Sequence, residues 1–197
     1  MTDSAPPAFS ICVYCGSRHG ARTSYTTAAR ALGSAIGSRG WQLVYGGGNV
    51  GLMGEVADAV LAAGGRVVGV IPESLMQREV GHRGLTELHV VPTMHQRKQM
   101  MAERADAFIA LPGGIGTLEE LYEVWTWRQL GYHRQPIGLL NIDGFYDTLL
   151  AFMQQTVDEG FLSAQQLTAV EVGTDPVEML LRLARSAPRR SGDFDAV

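Results

Sequence analysis

The sequence predicts a single α/β domain built on a doubly wound parallel sheet, and three observations carry that expectation. Short β-rich apolar runs alternate with longer helical stretches along the chain; the runs are nearly continuous in Val, Ile, Leu and Ala; and two glycine-rich turns each follow a run and open a helix. Alternation of this kind describes a Rossmann-like sheet with helices on both faces, and near-continuous apolar strands are those buried on both sides. The first strand is expected over 9–14, where FSICVY is apolar almost throughout, and is followed by a helix over 24–38. QLVY at 42–45 is the second strand, with a helix over 51–63 behind the first glycine turn. RVVGVI at 66–71 and ELHV at 87–90 are the next strands, and a helix is placed over 95–104. AFIAL at 107–111 leads through the second glycine turn into a helix over 117–130. IGLL at 137–140 is the last expected strand, with helices over 145–159 and 176–185.

At 197 residues and 21.3 kDa the chain fits one domain, against about 100–200 residues per domain. The domain is assigned to 9–185, with polar tails over 1–8 and 186–197, and no internal repeat is found. With 46% hydrophobic and 18% charged residues, a chain of this size buries roughly 70% of its unfolded surface. Twenty acids against 16 bases, a net charge of −4, argue against a broad nucleic-acid footprint. MTDSAPPA at the start has neither a basic nor an apolar region of a secretory signal, which makes the cytoplasm the expected compartment. No apolar run approaches the ~20 residues of a membrane span. Cys12 and Cys15 have redox-pair spacing but lie on an apolar strand, where alternation sends them to opposite faces as ordinary buried residues. The five histidines lack ligand spacing with acids or cysteines, so no metal site is expected.

Open parallel sheets bind ligands beyond the carboxyl ends of their strands, which directs attention to the loops there. In the first glycine turn, Gly46, Gly47 and Gly48 are candidate phosphate-loop residues. Gly46, Gly48 and Gly51 also satisfy G-x-G-x-x-G, with Glu73 after the next strand in the place of a ribose-binding acid; the plainer alternative is a tight strand-to-helix turn. The second turn runs Pro112, Gly113, Gly114, Ile115, Gly116, Thr117, Leu118, Glu119, Glu120. Thr117 and Glu120 have capping-box spacing, which would make Thr117 the N-cap and hold the Glu120 carboxylate at the mouth of an anion site. Neither turn is a Walker A or a kinase loop. Between them, Arg97 and Lys98 lie about 100° apart on a helix, and both can reach a site over the strand ends. Lys98 is the only lysine in the protein. Met94, Met100 and Met101 read as packing residues, and the polar stretch over 78–84 as a lid or an exposed loop.

GGGNVGLMG at 46–54, Met94 with Arg97 and Lys98, and PGGIGTLEE at 112–120 together resemble the LONELY GUY family, cytokinin riboside 5′-monophosphate phosphoribohydrolases earlier labelled lysine decarboxylases. The resemblance spans about 9–185 with no departure at those positions. It implies hydrolysis of the N-glycosidic bond of N6-modified adenosine 5′-monophosphates, and of AMP as a second substrate, to free base and ribose 5-phosphate. It implies Arg97 and Glu120 as the catalytic pair. It places Glu79, Lys98, Gly114, Ile115, Gly116, Thr117, Leu118, Glu119, Glu120 and Thr126 on the nucleotide, without cofactor or metal, in a homodimer whose sites lie near the subunit interface. Glycosidic cleavage fits the residues, since positive charge builds on the sugar and a carboxylate such as Glu120 can stabilise it or orient water. Three other readings stand beside this one: a non-catalytic nucleotide-binding or carrier module; a dinucleotide-dependent oxidoreductase on Gly46, Gly48 and Gly51; and a pyridoxal-phosphate decarboxylase, for which only Lys98 is available. Met94, Trp125 and Tyr132 are candidates for shaping the pocket around an N6 substituent.

Overall fold

The computed structural model describes residues 7–76 and 81–188. Seven strands form one wholly parallel sheet: β1 (Ser10–Tyr14), β2 (Gln42–Tyr45), β3 (Arg66–Pro72), β4 (Glu87–Val91), β5 (Ala107–Ala110), β6 (Ile137–Leu140) and β7 (Val170–Gly173), in the order β4-β3-β2-β1-β5-β6-β7. Strand alternation divides the interior in two. Ile11, Val13, Cys15, Leu43, Tyr45, Ile109 and Leu111 enter the core beneath α1 (Thr23–Gly37), α2 (Gly51–Ala62) and α8 (Pro176–Ser186). Cys12, Tyr14, Val44, Val68, Phe108 and Leu139 enter the opposite core, beneath α4 (Met94–Glu103), α5 (Ile115–Leu130) and α6 (Asp147–Asp158). Cys12 and Cys15 are thus buried free thiols on opposite faces, as alternation requires.

The six expected strands are present, with ends shifted by a residue or so. Elements outside the expectation are β7 and two four-residue helices, α3 (Glu73–Met76) and α7 (Ala164–Leu167). β7 is an edge strand, VEVG, with only Val170 fully buried, so it lacks the apolar continuity that marks the central strands. α7 is held by a capping box between Ser163 and Gln166, too short to show a helical period. The helix expected from 145 begins at Asp147, behind a turn of 3-10 helix at Ile142–Gly144. α8 continues to Ser186, and the expected tails over 1–8 and 186–197 fall mostly outside the described residues.

The sheet's centre is tied down at its amino end. Ser10 N donates to a carboxylate oxygen of buried Asp106 at 2.7 Å, and Asp106 N donates to Ser10 O at 2.8 Å, fixing β1 against the entry to β5. On the first face, α1 and α2 lie unusually close. A Cβ on Gly33 would sit 2.5 Å from the carbonyl oxygen of Val56, and one on Gly37 would sit 2.4 Å from that of Val60. Close approach buries Leu32, Ile36, Val56 and Val60 completely, each contributing about 1.5–3 kcal/mol. Gly33→Val is therefore expected to cost about 1–3 kcal/mol by overpacking, whereas Ser34→Val, at an exposed position of the same helix, costs under about 0.5 kcal/mol. Urea unfolding of the two variants measures the difference.

Candidate active site

β1 and β5 are paired neighbours, yet β1 runs on to α1 on one face and β5 to α5 on the other. A crevice opens between diverging connections of this kind, where open α/β sheets bind ligands. Here it is a cavity of about 650 Å³, walled by Cys15 and the loop from Gly16 to Gly20, by Leu52 and Met53 of α2, by Pro112 and Gly113 with the first turn of α5, and by Arg97, Glu120, Tyr25 and Phe145. Three backbone hydrogen bonds hold the walls together: Leu111 N to Tyr14 O at 2.9 Å, Gly16 N to Pro112 O at 3.1 Å and Leu52 N to Gly16 O at 3.0 Å. Gly51, with φ +57°, is what allows the last of these, since a Cβ there would lie 2.3 Å from the backbone of Ser17 and Arg18.

Helix α5 starts two residues before the expected position. Its N-cap is Gly114, with no side-chain cap, and Thr117 is its third residue, so the expected capping box does not form. Thr117 is buried, and its hydroxyl fills the space that a Cβ on Gly113 would need, 2.1 Å away. An uncapped first turn leaves N–H groups without intrahelical partners at the positive end of the helix dipole, facing the cavity that Gly114, Ile115, Gly116 and Thr117 line. Such a turn is suited to receive an anion through its backbone.

Arg97, 6% exposed, projects from the first turn of α4, whose N-cap Thr93 accepts from Gln96 N. Its Nε donates to Val70 O and its Nη2 to Gly46 O, both at 3.2 Å. Nη2 also stands 3.9 Å from Oε1 of Glu120, one turn into α5, so cation and carboxylate meet at the cavity wall. Lys98, the next residue, turns to α5 instead: its Nζ bonds Glu119 and, at 2.9 Å, Glu123. Burial alone would lower the Lys98 pKa, but the two carboxylates outweigh it and raise the value. Cys15 lines the cavity as a protonated thiol, its pKa pushed far up by burial and by Glu120.

Among the residues singled out in the sequence, the cavity brings together Arg97, Gly113, Gly114, Ile115, Gly116, Thr117 and Glu120. Lys98, Leu118, Glu119 and Thr126 lie outside its lining, and Glu79 lies outside the described residues. Gly46, Gly47 and Gly48 are buried behind the wall, and Glu73 is exposed at the start of α3, away from the cavity. Met94, Trp125 and Tyr132 do not line it either; Trp125 is core, with its indole N–H on Gln166 O. The apolar wall comes instead from Leu52, Met53, Tyr25 and Phe145, the last two in edge-to-face contact at 5.6 Å. Sequence reasoning passed over the loop from Gly16 to Gly20, although Arg18 and His19 follow a central strand where the fold rule directs the search. Among the described residues no three His, Cys, Asp or Glu gather as a metal would need, and no helix is long and apolar enough to cross a membrane.

A doubly wound sheet with an uncapped helix N-terminus and an arginine–glutamate pair at its switch point defines an α/β protein suited to a phosphorylated small molecule. Residues 53–183 match the family model described as possible lysine decarboxylase. The chain is 50% identical over 187 residues to cytokinin riboside 5′-monophosphate phosphoribohydrolase LOG7 of Arabidopsis thaliana, covering 95% of this chain and 84% of the relative. It is 52% identical over 178 residues to the enzyme LOG of Oryza sativa subsp. japonica, covering 90% and 74%. The chain belongs to the LONELY GUY family of cytokinin riboside 5′-monophosphate phosphoribohydrolases. Solved structures of the same fold include a molybdenum cofactor binding protein from Rippkaea orientalis, with TM-score 0.67, 24% identity and coverage of 90% of this chain and 95% of that one. Another is the molybdenum cofactor carrier protein of Chlamydomonas reinhardtii, with TM-score 0.67, 20% identity and coverage of 90% and 96%. Their likeness is one of fold. A decarboxylase's Schiff base needs a lysine amine at the ligand, whereas Lys98 is ion-paired outside the cavity.

A lysine whose folded pKa exceeds its unfolded value adds stability that is complete below about pH 10.4 and disappears as the pH climbs through the folded value. The stability lost in Lys98→Met is therefore expected to hold constant between about pH 7 and pH 9 and to shrink above about pH 10.5, in urea titrations at each pH.

Proposed function

We infer that this protein hydrolyses the N-glycosidic bond of cytokinin riboside 5′-monophosphates, releasing the N6-modified adenine and ribose 5-phosphate, with AMP as a second substrate. The observation that carries the inference is the meeting of Glu120 and Arg97, 3.9 Å apart, beside the uncapped first turn of α5, in a chain about half identical to phosphoribohydrolases. In this reading the first-turn N–H groups of α5 take the 5′-phosphate, and the apolar wall of Leu52, Met53, Tyr25 and Phe145 takes the purine. That orientation leaves the ribose beside Glu120. As the bond to the base lengthens, positive charge grows on the sugar; the Glu120 carboxylate stabilises it and directs water to the anomeric carbon. The Arg97 guanidinium meets the negative charge on the phosphate or on the departing base. A protein that only carried a nucleotide would have no use for a carboxylate at the sugar.

The protein acts as a cytoplasmic homodimer on small molecules, a reading supported by its family and by its net negative charge, which suits no nucleic-acid partner. Lys98, Leu118, Glu119 and Thr126, which lie outside the cavity lining, keep a nucleotide-binding role in this reading where one protomer borders its partner's cavity; Glu79 keeps the nucleotide contact that the family resemblance implies.

Incubation with AMP and with N6-isopentenyladenosine 5′-monophosphate, followed by chromatography, is expected to yield free base and ribose 5-phosphate. Glu120→Gln should lower turnover at least about 100-fold while the protein stays folded. Binding of both nucleotides without cleavage would establish the carrier reading instead. Sedimentation equilibrium is expected to give twice the chain mass.

A further inference from the structure

Gly46, Gly47 and Gly48 have no part in the cavity wall, although they are the candidate phosphate-loop residues of the first glycine turn. Gly46 is fully buried, and its carbonyl accepts from Nη2 of Arg97 at 3.2 Å. A Cβ built on Gly46 would lie 2.0 Å from that same nitrogen and 3.2 Å from the guanidinium carbon. The next atom it would meet, the sulfur of Met53, is 3.6 Å away, an ordinary contact. The backbone at Gly46 is not in the left-handed region, so alanine is conformationally acceptable there. The guanidinium of Arg97 is therefore what reserves this position for glycine.

The rest of the turn shapes the same seat. Gly47, at φ +77°, packs on Val70 and Ile71, and Val70 supplies the second carbonyl that holds Arg97. Gly47 O accepts from His82 N at 3.0 Å, and Gly48 bridges to Gly81. These contacts bind the turn to β3 and to the chain entering β4, outside the lining of the cavity.

We propose that Gly46, Gly47 and Gly48 seat Arg97 and bind no phosphate: Gly46 is a positioning residue whose absent side chain is the space occupied by the arginine head group. The activity arm of this proposal rests on the hydrolase reading above; its stability arm does not. In the wild-type background, Gly46→Ala pushes the guanidinium off its two carbonyls and out of register with Glu120. A misplacement of about 1 Å costs on the order of 100-fold in kcat/KM. In an Arg97→Ala background the nearest remaining atom to the added methyl is the Met53 sulfur at an ordinary 3.6 Å, so the same substitution changes nothing further.

The experiment is a four-member cycle of wild type, Gly46→Ala, Arg97→Ala and the double variant, read both as kcat/KM on N6-isopentenyladenosine 5′-monophosphate and as thermal midpoint. The seat predicts that Gly46→Ala lowers both quantities alone, and that the double variant matches Arg97→Ala in both. If Gly46→Ala alone fails to fold, recovery of a folded double variant supports the seat, and an unfolded one overturns it. Wild-type kcat/KM in Gly46→Ala would overturn it as well. So would a double variant that binds AMP about tenfold more weakly than Arg97→Ala, which is the result a phosphate cradle gives. Should the wild type cleave nothing, the hydrolase reading fails while the thermal cycle still decides whether Arg97 occupies the seat.

Discussion

The pairing of β1 with β5 sets everything at the active site, because these two strands are hydrogen-bonded to each other while their connections depart to opposite faces. No side chain is needed to open the crevice; it follows from strand order. Its width is then trimmed by backbone contacts, Gly16 to Pro112 and Leu52 to Gly16, which draw one loop against the other. Those contacts demand residues without side chains at Gly51 and Gly113, where a Cβ would collide with the Ser17–Arg18 backbone or with the Thr117 hydroxyl.

Within that frame Arg97 is a cation placed almost wholly out of water, and among the described residues no carboxylate stands at hydrogen-bonding distance from it. Burying a charge is costly unless it is bonded, and here two carbonyl dipoles, from Val70 and Gly46, satisfy two of its donors. Partnering through carbonyls has a chemical consequence. Glu120, whose Oε1 stands 3.9 Å from Arg97 Nη2, feels the positive field at a distance longer than a hydrogen bond, and both residues line the cavity. A similar economy operates at α5, where Gly114 as N-cap leaves first-turn N–H groups open that a serine or aspartate would have occupied.

Much of this was legible in the sequence, and what was not has physical reasons. Continuous apolar runs identified the five central strands, and ELHV the edge strand β4; β7, at the other edge, escaped because Glu171 breaks its short run. PGGIGTLEE marked the correct turn, but Thr117 looked like a cap since spacing alone cannot tell an N-cap from a third helical residue whose hydroxyl packs inward on glycine. Arg97 and Lys98 looked equivalent, yet the 100° between them sends one to the sheet's carboxyl edge and the other to the acids of α5, a partition that only the neighbouring helix decides. The apolar wall was invisible because Tyr25, Leu52 and Phe145 come from three separated segments joined only by the fold.

Strand order also bears on how the molecule is made. β1 to β4 pair with sequence neighbours and can assemble as they leave the ribosome, but the free side of β1 waits for β5, some hundred residues later in synthesis. Until then a strand that ends up wholly buried presents an open edge, the kind of surface that invites pairing with another chain. The seam closed by that late pairing borders the cavity where Glu120 meets Arg97, so the cavity and the protection of that edge form in a single event.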